Sequence, residues 1–177
     1  MIVGCGKRKP PLPPLGRVRQ VAEIKYSQQG NRIVINVEIP TPPPRKKKSM
    51  QITRIDVYRL AESPDAPLTL NSQEFAERAS VVGVIAYENV KKPSAPILFT
   101  DELEFTGSKL RFRYGVRFVN SDGQSTDFSN ILLVVPSARI ALPPENLTAL
   151  ESQVNINIEW QPPLKNIDGS TPVNILG

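Results

Sequence analysis

The clearest pattern in the chain is a regular alternation of large apolar and charged side chains between Arg111 and Phe118. Phe112, Tyr114 and Val116 occupy every second position, and most of the positions between them are arginines. Because side chains on a β-strand point alternately to opposite faces, this pattern predicts a strand with an apolar inner face and a basic outer face.

A turn and a second apolar segment follow this strand. Residues Asn120 to Gly123 are typical of a tight turn, because Gly123 tolerates positive φ at no steric cost. Residues 131–135 then form a continuous apolar run. Strand, turn and strand predict a hairpin, and its apolar face requires a second sheet to cover it.

The apolar patterns elsewhere predict more strands, at residues 18–26, 33–39, 52–58, 81–87 and 97–105. One short helix is expected over Ser72–Ala79, because Asn71 and Glu74 have the spacing of a capping box. The sequence therefore predicts an all-β fold with a short inserted helix. The expected shared core consists of Ile33, Ile35, Val37, Ile55, Val57, Phe112, Tyr114, Val116 and Phe118.

The segment from Phe112 to Asn130 has the pattern Phe-x-Tyr-x-Val-x-Phe-Val-Asn-x-x-Gly-x-Ser-x-x-x-Ser-Asn. This pattern resembles the last two strands, F and G, of a fibronectin type III domain. The resemblance implies an immunoglobulin-like sandwich over about residues 17–136. The domain is divergent, since Phe112 stands where the family has its tyrosine-corner tyrosine and Ile39 where it has a core tryptophan.

A second segment resembles the same family more closely. After a linker at 137–143, residues 144–149 (Pro-Glu-Asn-Leu-Thr-Ala) and the pattern Val-x-Ile-x-Ile-x-Trp-x-Pro-Pro at 154–163 are similar to the family's first two strands. The resemblance implies that Trp160 is the core tryptophan of strand B. Because the chain ends at Gly177, where a third strand would begin, residues 144–177 are expected to form an incomplete second domain.

The N-terminal residues resemble a membrane-anchoring signal. Ile2-Val3-Gly4-Cys5 is similar to a bacterial lipobox, which implies acylation of Cys5 and attachment to a membrane. The apolar run of ~7–15 residues that precedes such a motif in a signal peptide is missing; the alternative is an idle cysteine in a tail. Lys7 to Leu15 is proline-rich and predicts a stiff polyproline II tether, so residues 1–16 are interpreted as lipobox remnant and tether.

Composition narrows the possible chemistry. The chain has no histidine and one cysteine, which excludes Ser-His-Asp and Cys-His catalysis, histidine metal sites and an internal disulfide. Residues 1–20 carry five basic and no acidic side chains, so the remaining 17 basic and 17 acidic groups cancel. A nucleic-acid-binding domain carries its charge on the folded face. We therefore predict no catalytic residues, no cofactor, no metal site and no nucleic-acid partner.

Two groups of basic residues are weak candidates for binding. Lys46, Lys47 and Lys48 follow a proline-rich loop and could contact an anion or an acidic lipid; a solvated loop is the favoured interpretation. The second group is Arg111, Arg113 and Arg117. Its favoured interpretation is a solvated outer sheet face on which acids such as Asp56 balance the arginines.

These observations favour a non-catalytic lipoprotein of the cell envelope, held at the membrane through Cys5 and facing the periplasm or the exterior. Its fibronectin type III domains would be presented to a protein or polysaccharide partner. One alternative is an accessory or spacer region of a larger secreted enzyme. Another is binding of an anionic polymer or nucleic acid through the basic tail.

Overall fold

The computed structural model describes residues 22–38, 52–86, 97–104 and 109–171, which contain nine strands and one helix. This confirms the prediction of a mostly β chain with one short helix. In chain order the elements are β1 (Glu23–Gln29), β2 (Arg32–Glu38), β3 (Ile52–Glu62), α1 (Ser72–Arg78), β4 (Ser80–Ala86), β5 (Ile97–Glu102), β6 (Arg111–Asn120), β7 (Leu132–Val134), β8 (Glu145–Glu151) and β9 (Ile156–Gln161).

The first seven strands form two antiparallel sheets. The three-stranded sheet has the order β1-β2-β5, and the four-stranded sheet has the order β4-β3-β6-β7. Strand β6 lies at the centre of the second sheet, where Phe118 pairs with Ile55 and Phe112 with Val134. The predicted hairpin is therefore present, although its second strand is only three residues long.

The two sheets contribute to one apolar core. Ile33, Ile35 and Val37 come from the three-stranded sheet, and Tyr114 and Phe118 are among the residues that come from the four-stranded sheet. All five are almost completely buried. The period-2 alternation of β2 and β6 therefore sorts inner from outer residues as the sequence predicted. Phe112 is partly buried and packs at the margin of this core.

Two side chains of the segment between β6 and β7 tie it to its neighbours. Asn130 accepts a hydrogen bond from the backbone N–H of Ile24 at 2.8 Å and donates one to the Ile24 carbonyl at 3.0 Å, so it joins β7 to β1 of the other sheet. Ser129 Oγ accepts from the Val116 N–H at 3.0 Å. Ser129 thus satisfies a backbone group of β6 next to the short β7, and Asn130 links the two sheets.

Helix α1 covers the outer face of the four-stranded sheet. Its capping box is present: Asn71 Oδ1 accepts from the Glu74 N–H at 2.9 Å, and the Glu74 carboxylate accepts from the Asn71 N–H at 3.2 Å. Phe75 anchors the helix and is fully buried. A Cβ at Gly115 would lie 2.9 Å from the Phe75 ring, so the close approach of helix to sheet requires a residue without a side chain there.

Strands β8 and β9 form a separate antiparallel hairpin. Every residue of the two strands is exposed, and Trp160 retains 52% of its accessible surface. Within the described residues Trp160 is therefore not enclosed, and its expected role as the core tryptophan of a strand B stays a prediction. A two-stranded ribbon has no second layer to cover an apolar side chain.

Candidate functional site

The outer face of the four-stranded sheet contains the candidate site. Arg111 and Arg113 were expected to be solvated, but only 3% and 5% of their surfaces are exposed. The expectation is wrong because residues 63–68, which follow β3, fold back over both guanidinium groups. The alternation along β6 assigned Arg111 and Arg113 correctly to the outer face. It did not indicate that residues 63–68 would cover that face.

One buried carboxylate lies among three arginines. Glu62, at the end of β3, has a side chain that is 1% exposed. Its Oε2 accepts hydrogen bonds from Arg113 Nε at 2.8 Å and from Arg111 Nε at 3.2 Å. Its Oε1 lies 3.4 Å from Nη2 of Arg78, at the end of α1. We call these four residues the arginine cluster.

The loop supplies the remaining acceptors of the two buried arginines. Arg111 donates to the carbonyl oxygens of Pro64 at 3.3 Å, Ala66 at 2.7 Å and Pro67 at 2.7 Å. Arg113 donates to those of Pro67 at 3.0 Å and Leu68 at 2.8 Å. Burial of a charged group is tolerable only when it is hydrogen-bonded in this way. Two of these carbonyls belong to prolines, which lack an N–H and so leave fewer donors to be paired inside the loop.

Burial alone would raise the pKa of Glu62. The hydrogen bonds and charges of Arg113 and Arg111 outweigh that effect and hold the pKa below its ordinary value of 4.5. A carboxyl group with a depressed folded-state pKa stabilises the fold above its unfolded-state pKa, and that stability is lost as the pH falls through the folded-state pKa.

The stability difference between the native chain and a Glu62→Gln variant is therefore expected to shrink on acidification. It should be constant near neutral pH and begin to fall below about pH 4.5, where the unfolded state takes up the proton. Urea unfolding of both chains at several pH values between 7 and 3 measures it. All other carboxyl groups are shared by the two chains, so a difference that does not change with pH would contradict the predicted pKa shift.

Arg117 lies on the same outer face but outside the cluster. Its guanidinium carbon lies 3.6 Å from the centroid of the Phe128 ring and 5.9 Å from that of Tyr58. Its Nε is buried without a hydrogen-bond partner among the described residues. Asp56, the expected partner, instead accepts from Arg54 Nε at 2.8 Å. Arg117 is therefore held by stacking on aromatic rings rather than by an ion pair.

A cleft of about 730 Å³ opens beside the arginine cluster. The loop after β3, helix α1 and the residue just before β7 form most of its walls. Its lining residues are Glu62, Pro67, Leu68, Thr69, Leu70, Asn71, Glu74, Arg78, Arg113 and Ile131. Two arginines of the cluster, Arg78 and Arg113, thus border a space that a ligand can enter. The carboxylates of Glu62 and Glu74 border the same space.

A second polar group joins the two sheets at the opposite, inner face of β6. The Asp101 carboxylate, on β5, accepts two hydrogen bonds from Arg59 Nη1, at 3.0 and 2.8 Å. The Tyr114 hydroxyl donates to Asp101 Oδ2 at 2.6 Å. Burial, together with this bond to an anion, raises the pKa of Tyr114 far above its usual value. The phenol therefore stays protonated and acts as a structural donor.

Replacing Tyr114 by phenylalanine is expected to lower the free energy of unfolding by about 1.5–3 kcal/mol, the usual contribution of a hydrogen bond to a charged group. The ring stays in the core, so the change isolates the hydroxyl. Urea denaturation measures it. Tyr26→Phe, at an exposed tyrosine of β1, is the matched control and should be neutral; equal effects of the two variants would contradict the role of the Tyr114–Asp101 bond.

Several candidates from the sequence lie outside the described residues. These are the cysteine of the lipobox motif, Cys5, and the basic loop residues Lys46, Lys47 and Lys48. Of the three candidate arginines, the structure brings Arg111 and Arg113 together and leaves Arg117 apart. Sequence reasoning missed Glu62 and Arg78. The available signal was the register, because Glu62 pairs with Arg111 across the β3–β6 ladder.

No protein-family model and no curated protein sequence matches the chain. Two similar solved structures are a pectate lyase from Erwinia chrysanthemi in complex with tetragalacturonic acid and a pectate lyase from Pectobacterium carotovorum. Each is 16% identical to this chain, with TM-scores of 0.40 and 0.39. The matches cover 68% and 72% of this chain and 30% of each lyase chain. Likeness at this level assigns neither a fold nor a function.

Proposed function

We propose that the chain is a non-catalytic lipoprotein of the cell envelope that presents fibronectin type III domains to a protein or polysaccharide partner. The observation that carries the domain assignment is the strand order. It is supported by the sequence pattern of β6. The preference for binding over catalysis is supported by the way the buried polar groups on both faces of the four-stranded sheet are used.

The strand order favours an immunoglobulin-like sandwich of this type. If β1 to β7 are labelled A, B, C, C′, E, F and G, the two sheets have the orders A-B-E and C′-C-F-G. A constant-type immunoglobulin domain has A-B-E-D and C-F-G. The present arrangement differs in its fourth strand, which pairs with C instead of E. The assignment of β6 and β7 as strands F and G agrees with the resemblance seen in the sequence.

The use of the polar groups favours binding over catalysis. Glu62 and Asp101 are both largely buried and both accept hydrogen bonds from arginine, and each is fixed between elements of the scaffold. A general acid or base needs a titratable group within reach of a substrate proton, and the pKa of Glu62 is shifted away from neutrality. We expect the chain to have no catalytic turnover of its own.

The anchor is tested by acylation. The gene with the codons upstream of Met1 is expressed in a Gram-negative host, and the cells are labelled with a palmitate analogue. We expect label and membrane partition for the native chain, and neither for Cys5→Ser, because two or more acyl chains give stable membrane residence at ~0.8 kcal/mol per buried methylene. Equal partition of both chains without label would refute the anchor.

No helix among the described residues has the length and apolar character that a membrane span requires.

A further inference from the structure

The arginine cluster contains more positive than negative charge at its buried centre. Arg111 and Arg113 are both nearly inaccessible, and a guanidinium group stays protonated in proteins. Glu62 is the one carboxylate to which either of them is bonded within the described residues. The loop carbonyls stabilise the second positive charge through their dipoles but do not neutralise it. The buried centre therefore carries a net charge of about +1, the balance of two guanidinium groups and one carboxylate.

The cleft gives access to this charge. Arg113 lines the cleft, and its Nε and Nη2 are used by Glu62 and by the loop. Its Nη1 has no hydrogen-bond partner among the described residues. It is also not fully buried, because Nε of Arg117 is the one fully buried side-chain atom there that lacks a partner. Arg78 also lines the cleft, is half exposed, and touches Glu62 through a single contact of 3.4 Å. Both arginines thus have donors available to an incoming group.

The other lining groups narrow the choice of ligand. Leu68, Leu70 and Ile131 make part of the wall apolar, and none of the ten lining residues is aromatic. Glu74 brings a negative charge to the rim, but one of its oxygens is engaged by the Asn71 N–H in the capping box. Among the lining residues, the positive charges of Arg78 and Arg113 are balanced by the two glutamates. The excess positive charge therefore comes from Arg111, which is hydrogen-bonded to Glu62.

We propose that this cleft binds the carboxylate of a protein segment in which an acidic residue is flanked by apolar residues. The carboxylate accepts from Arg113 Nη1 and from the free nitrogens of Arg78, an arrangement suited to the planar fork of guanidinium donors. The apolar neighbours pack on Leu68, Leu70 and Ile131. A polysaccharide partner fits less well, because the lining has no aromatic ring on which a sugar could stack. The inference deepens the proposed function, on which it rests for the domain's role as a partner-binding surface.

Nuclear magnetic resonance titration of the 177-residue chain tests the proposal. The Cys5→Ser form is used throughout, so that failure of the anchor and failure of the cleft are observed separately. The probe is the capped tripeptide acetyl-Leu-Glu-Leu-amide, and its neutral counterpart acetyl-Leu-Gln-Leu-amide is the ligand control. We expect amide shifts centred on residues 68–71 and on Arg78, and binding of the neutral peptide at least about tenfold weaker, as for a lost charge-assisted hydrogen bond.

Matched variants locate the effect. Arg78→Gln should weaken binding of the acidic peptide about tenfold, since it removes a charged donor. Arg32→Gln is the control, because Arg32 is an equally exposed arginine whose side chain pairs with Glu102 on the other sheet; it should leave binding unchanged. If Arg78→Gln does not fold by circular dichroism, Arg78→Lys is used, and it should retain part of the affinity.

The following outcomes would overturn the proposal. They are equal binding of the acidic and neutral peptides, equal effects of Arg78→Gln and Arg32→Gln, shifts centred outside the cleft, and tighter binding of the methyl glycoside of a uronic acid, which carries the same single negative charge. Sodium chloride that reproduces the shifts at the peptide's concentration would likewise overturn it, because it would show an unselective anion site. Loss of peptide binding at high ionic strength is the supporting result, since the contact is electrostatic.

Discussion

Replacing Glu62 by alanine is expected to lower the free energy of unfolding by about 3–5 kcal/mol, because removal of one partner of a buried ion pair leaves the opposite charge unpaired. Here the loss strands two guanidinium groups, Arg111 and Arg113, that remain almost fully buried. Their contacts with the loop carbonyls persist, but dipoles compensate a charge less well than a carboxylate does. We therefore expect the loss of unfolding free energy to lie in the range that is usual when one partner of a buried ion pair is removed.

Urea denaturation at pH 7 measures this effect, and Glu102→Ala is the matched control. Glu102 also pairs with an arginine, Arg32 Nε at 3.0 Å, but both side chains are more than half exposed. Exposed pairs contribute roughly 0–1 kcal/mol, so the control should be nearly neutral. A loss for Glu62→Ala no larger than that of the control would show that the loop carbonyls alone suffice to hold the arginines.

The same cluster shows where inference from the sequence succeeded and where it stopped. The alternation of Phe112 to Phe118 assigned inner and outer faces correctly, because a period of two is a local property of a strand. Whether an outer face meets water depends on what folds over it. Residues 63–68 lie far from Arg111 in the sequence, and nothing local to either segment indicates that the loop carbonyls point at the guanidinium groups. A solvated face was therefore the natural interpretation and the wrong one.

Helix α1 shows the opposite case. Its start was predicted from Asn71 and Glu74, and both reciprocal hydrogen bonds of the capping box are present. Such a motif involves groups only three residues apart, so it can be recognised without knowledge of the fold. What the helix covers could not be predicted, since the glycine that admits it, Gly115, lies on a strand 40 residues after Phe75 in the chain.

The second hairpin shows a further limit. The apolar positions of β9, Ile156, Ile158 and Trp160, alternate as regularly as those of β6. On β6 the matching residues are buried because two sheets enclose them, whereas those of β9 remain exposed beside a single partner strand. Alternation reports which residues share a face, and burial depends on a second layer.

Replacing Phe118 by alanine is expected to lower the free energy of unfolding by about 3–5 kcal/mol, the usual cost of deleting a buried phenylalanine ring. Phe118 is fully buried at the middle of the core, opposite Ile55 in the β3–β6 ladder. The core at this point is formed by both sheets, so the void left by the ring can close only by moving one sheet toward the other. That rigidity favours the upper part of the range, because the cost grows with the cavity that remains.

Val135→Ala is the control for this measurement, since Val135 follows β7 on the same sheet and is exposed; it should change the free energy of unfolding by less than about 0.5 kcal/mol, as surface substitutions usually do. Unfolding in urea, followed by circular dichroism, gives both values, and the slope against denaturant shows whether the transition stays cooperative. A loss for Phe118→Ala below about 1 kcal/mol would contradict a core shared by the two sheets, because a large ring buried between packed layers cannot be removed at the cost of a surface side chain.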